Sequence, residues 1–62
     1  MTALEEVRQL VQEVNDEVGS PDIQEYIDEE ELGLACDLLL QVVTPHSGAD
    51  EKVRIARRIW NE

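Results

Sequence analysis

Leu32-Gly33-Leu34-Ala35-Cys36-Asp37-Leu38-Leu39-Leu40-Gln41-Val42-Val43 is the most apolar run of the chain, and its reading decides the fold. Leu32, Ala35, Cys36, Leu39 and Val43 recur at helical spacing as one stripe, with Leu34, Leu38 and Val42 beside it as a second. A helix that is apolar around most of its circumference belongs inside a core, so the run predicts the central helix of an all-α protein. Gly33 lowers helix stability by ~1 kcal/mol relative to alanine. Its place in the first turn admits two readings: another backbone crosses close to it, or the helix end is frayed. The run is broken by Asp37 and Gln41 and is shorter than the ~20 residues of a membrane span.

Upstream, Leu4, Val7, Val11, Val14 and Val18 alternate spacings of three and four, with Leu10 widening the stripe, which predicts an amphipathic helix from Thr2 to Val18. Thr2 suits its cap, Glu5 and Glu6 its first turn, and Gly19 its stop. Ser20-Pro21-Asp22 starts a short second helix with Ile23, Tyr26 and Ile27 on one face. The consecutive charges Glu29, Glu30 and Glu31 predict a break before Leu32. Downstream, Thr44-Pro45-His46-Ser47-Gly48-Ala49 reads as a loop, and Ser47 or Asp50 can cap a fourth helix to about Asn61. Val53, Ala56, Ile59 and Trp60 form its buried face, with Ile55 at the margin. The expected fold is an all-α bundle of four short helices, one domain over residues 1–62.

Sixty-two residues bury only about 60% of their unfolded surface on folding, so stability is marginal and a partner or second copy is useful. Fifteen acidic residues against five basic ones give a formal charge of −10. That charge argues against direct nucleic-acid binding and against an anionic membrane. Residues 1–51 carry fourteen acids and one arginine, or −13, and residues 52–62 carry four bases and one acid, or +3. Such a field attracts a basic partner. Met1 to Leu10 has no continuous apolar core of the signal-peptide kind, and with a single cysteine the chain is expected to be soluble and cytoplasmic.

No catalytic constellation is visible. The single histidine, His46, lies in a loop, and Cys36 sits in the most apolar helix, where a free cysteine is normally inert core. Asp28, Glu30 and Gly33 match the first, third and sixth positions of a calcium loop, but Leu32 and Leu39 stand where the fifth and twelfth oxygen ligands belong. No glycine-rich turn precedes Lys52 to hold a phosphate, so no metal and no cofactor are expected. An interaction surface remains. Asp22, Glu25, Asp28, Glu29, Glu30 and Glu31 form a candidate docking face for a cationic protein, with Tyr26 as its aromatic anchor. The plainer reading is a solvated face that keeps a small domain soluble.

Glu25-Tyr26-Ile27-Asp28, followed by Glu31-Leu32-Gly33-Leu34-Ala35 and Leu38-Leu39, resembles the MafI-like immunity proteins of bacterial polymorphic toxin systems. In that family a short helix ending in a Tyr/Phe-Ile-Asp-like sequence precedes Glu-x-Gly-Leu-Ala and spaced leucines. The resemblance covers roughly residues 22–40 and implies a cytoplasmic, non-enzymatic protein that binds and neutralises a cognate toxin domain. Many such toxins are nucleases with basic substrate grooves, which an acidic inhibitor would complement. The alternative from composition alone is a small assembly subunit in which the basic last helix meets the acidic second helix of another copy, as a homodimer. A basic last helix folding onto the acidic body of its own chain would account for the same charge split.

Overall fold

Four helices, α1 (Ala3–Val18), α2 (Pro21–Asp28), α3 (Leu32–Val42) and α4 (Gly48–Asn61), make up the computed structural model, which describes residues 2–61. The capping signals act as local chemistry requires. Thr2 Oγ1 accepts from the Glu5 N–H at 3.2 Å and Ser20 Oγ accepts from the Ile23 N–H at 3.3 Å, each satisfying an orphan donor of a first turn. Gly19 closes α1 in the left-handed region at φ 72°, donating its N–H to the Asn15 carbonyl. Ser47 is the cap of α4: its Oγ accepts from the Asp50 N–H at 3.1 Å and donates to the Thr44 carbonyl at 2.6 Å. The loop is therefore shorter than the Thr44-to-Ala49 reading. Gly48 and Ala49 already form the first turn of α4, because the Ser47 cap sets its start.

α2 ends at Asp28, within the break expected before Leu32. The Glu31 N–H bonds back to the Tyr26 carbonyl at 2.8 Å and the Glu30 N–H to the Ile27 carbonyl at 3.1 Å. This pair of bonds is a Schellman turn, and it places Glu30 at φ 61° in the left-handed position that glycine normally fills. α3 then starts with no side-chain cap on its first turn.

α1 and α3 each pack against the other three helices, while α2 and α4 lie apart and do not meet. Lys52 near the start of α4 reaches Glu13 in the second half of α1. Trp60 near the end of α4 shares a cleft with Leu4 and Val7. α4 thus runs antiparallel to α1. Val7, Val11 and Val14 of α1, Ile23 and Ile27 of α2, Leu32, Ala35, Cys36 and Leu39 of α3, and Val53 and Ala56 of α4 close into one aliphatic core. No helix among the described residues is long and apolar enough to cross a membrane.

Two expectations about α3 need correction. It shares the centre with α1 rather than holding it alone, and its second stripe is not buried. Leu34 is exposed, Leu38 half-buried, and Val42 58% exposed. α1, α2 and α4 all pack against α3, and the side they leave open carries these residues. What lies over Gly33 is a side chain and not a crossing backbone. A β-carbon built on Gly33 would stand 2.8 Å from Nε1 and 3.1 Å from Cδ1 of Trp60.

Candidate protein-binding surface

α2 and its Schellman turn carry the residues singled out in the sequence, and the helix separates them by face. Ile23 and Ile27 are buried against α1 and α3, which turns Asp22, Glu25, Asp28 and Glu29 outward; Glu30 and Glu31 follow on the turn, equally exposed. Tyr26 lies at the edge between the two faces. It is half-buried and packs on the core. All seven residues therefore belong to one small element, six as exposed acids and one as a partly exposed aromatic.

Their surroundings differ in charge compensation. Glu30 lies 4.0 Å from the Arg8 guanidinium, and Asp28 Oδ1 accepts from Gln24 Nε2 at 3.1 Å. Asp22, Glu25, Glu29 and Glu31 have no ion-pair partner among the described residues. The basic residues of α4 are turned elsewhere. Lys52 pairs with Glu13 of α1 at 3.4 Å, Arg57 pairs with Asp37 of α3, and Arg54 Nε donates to Asp50 Oδ2 within its own helix at 2.9 Å. The split between an acidic body and a basic last helix is thus largely resolved inside one chain, while α2 keeps its negative field.

Asp50 is the one buried carboxylate among the described residues, and its environment accounts for it. The hydrogen bond from Arg54 holds its pKa below the usual carboxylate value; burial opposes this, and the donated His46 N–H at 3.2 Å adds to the lowering. Cys36 is fully buried. Burial, with the neighbouring Asp37 carboxylate, pushes its thiol up to about 11, so near neutral pH it is a small apolar side chain. His46 lies exposed on the α3–α4 loop. Among the described residues, no group of three or more His, Cys, Asp or Glu side chains is arranged to hold a metal ion.

Two features were missed in the sequence. The first is Asn15, on the α1 face that meets α2 and only 3% exposed. Its Nδ2 donates to the Ser20 carbonyl and to Gln24 Oε1, both at 3.1 Å, and its Oδ1 accepts from the Ser20 N–H at 3.3 Å. Gln12 and Gln24 exchange two further amide bonds at 2.7 and 2.8 Å. This network fixes how α2 sits on α1, and its sequence signal was an asparagine within a valine-rich helical face. The second is a half-open groove of about 520 Å³ where the ends of α1 and α3 meet the start of α4. Val18 and Val42, both read as core, are surface residues there. Comparison with protein-family models, with curated proteins and with solved structures finds no match.

Proposed function

We propose that this chain is an immunity protein that binds and neutralises a cognate bacterial toxin domain in the cytoplasm of the producing cell, using the acidic surface of α2 and the turn that follows. One observation carries the reading: Asp22, Glu25, Glu29 and Glu31 are exposed together without an ion-pair partner among the described residues, in a chain whose other acids take up most of its bases. Uncompensated carboxylates on a small rigid element steer a basic partner and speed its association, with little desolvation until docking. Tyr26 supplies an aromatic edge of the kind that anchors interfaces. A toxin with a basic nuclease groove has the complementary charge. The left-handed Glu30 supports the same reading, since a turn that tolerates local strain and consecutive like charges is a departure from the most stable sequence.

Self-association through α4 and α2 draws less support, because four of the five basic residues are already engaged within the chain. The test is co-expression with the product of the adjacent gene: a complex and rescue from toxicity are expected, and the absence of both overturns the proposal. Reversing Glu29, Glu30 and Glu31 to lysine should slow association and weaken its salt dependence while leaving the fold intact. An unchanged on-rate would place the contact elsewhere.

A further inference from the structure

The outer face of α3 is the largest departure from the pattern expected of a monomer's core helix. Leu34, Leu38 and Val42 succeed one another at four-residue spacing, the first exposed, the second half-buried and the third 58% exposed. The strip does not end at the helix terminus: Val42 also lines the groove between α1, α3 and α4, as does the 37% exposed Val18. Scattered apolar side chains on a surface require no explanation, but a continuous strip that runs into a concave pocket does. Glu13 and Glu17 stand on the rim of that pocket, and the one base there, Lys52, is tied to Glu13.

We propose that this strip and groove dock an amphipathic, cationic helix of a protein partner, whose aliphatic side chains lie along Leu34, Leu38 and Val42, with one entering the groove beside Val18 while its Lys or Arg residues meet the glutamate rim. Helix-in-groove recognition lays the apolar face of an amphipathic helix, with anchors at three-, four- and seven-residue spacing, along an apolar surface of this kind. Charge selects the occupant. A second copy of this chain would bring another −10 against this one, whereas a basic helix neutralises Glu17, the rim glutamate without an ion-pair partner among the described residues. The inference rests on the proposed reading that the partner is a basic protein, and assigns the apolar part of the interface to α3 instead of α2.

The probe is a synthetic Lys/Leu amphipathic helical peptide titrated into the isotopically labelled full chain, followed by backbone amide shifts. Shifts at Leu34, Leu38, Val42 and Val18 are expected, lost when the peptide leucines become serine and when its lysines become glutamate. Val42→Ser, at an exposed position, should weaken binding about tenfold; Leu34→Ser serves as the second variant, and the peptide controls need no variant at all. Shifts confined to residues 22–31, unchanged shifts with the serine peptide, or no shifts overturn the inference. So does a dimer in sedimentation that Val42→Ser dissolves. None of these outcomes bears on whether the chain neutralises the product of its neighbouring gene, which co-expression decides separately.

Discussion

At the scale of single residues, Glu30 and Gly33 exchange the roles that their chemistry suggests. Glu30 occupies a left-handed position at φ 61°, where a β-carbon is disfavoured by ~1 kcal/mol or more. Glu30→Gly is therefore expected to stabilise the fold by ~1 kcal/mol, since the exposed Arg8 contact it removes is worth little. A urea midpoint that fails to rise would show that the turn is not left-handed in solution. Gly33 sits in a helix, where alanine would ordinarily be favoured, yet a β-carbon there meets the Trp60 indole. Gly33→Ala should lower stability by ~1 kcal/mol through that collision, and become neutral or stabilising in a Trp60→Ala background. Equal effects in both backgrounds would refute the contact. The sequence marked Gly33 as a packing position but could not identify its neighbour, because Trp60 lies 27 residues away and its direction depends on how α4 crosses α3.

At the scale of the helix, the starts of α1 and α2 and the stop of α1 were legible because caps act within about four residues of where they stand, whereas α3 begins without a side-chain cap and the start of α4 lay open between Ser47 and Asp50. Thr2, Ser20, Ser47 and Gly19 all perform the role their position implies. The start of α4 adds a tertiary feature: Asp50 is buried yet ionised, held by Arg54 and by the His46 N–H. Its folded pKa lies below the unfolded value, so its contribution is present in full above the ordinary carboxylate pKa of ~3.9 and lost as pH falls through the lowered value. Asp50→Asn should flatten the acid dependence of unfolding below pH ~4, measured by urea denaturation between pH ~5 and ~2. Identical slopes in both proteins would mean that the Arg54 contact is not maintained in solution. The two stripes of α3 show the limit of periodicity. Both are apolar at helical spacing, and nothing local distinguishes the one that α1, α2 and α4 cover from the one they leave open.

For the whole molecule, charge and size act together. A domain 27 × 23 × 16 Å across carries a net −10, so its carboxylates repel one another over distances comparable with the Debye length of ~10 Å at moderate salt. Four ion pairs oppose this, but exposed pairs contribute only ~0–1 kcal/mol each. Repulsion should win: raising sodium chloride from ~10 mM to ~1 M is expected to increase the thermal midpoint by several degrees. A midpoint that falls would show that the ion pairs outweigh the repulsion. The sequence by itself determined the four helices, the caps at Thr2, Ser20 and Gly19, a break before Leu32 and the acidic character of α2, because each follows from residues within one or two turns of one another. Only the tertiary structure decided that Trp60 covers Gly33, that Asn15 seats α2 on α1, that Lys52 and Arg57 of α4 pair with α1 and α3, and that Leu34 and Val42 face outward. Those outcomes depend on which helix lies against which, and the periodicity of one helix does not specify its neighbours.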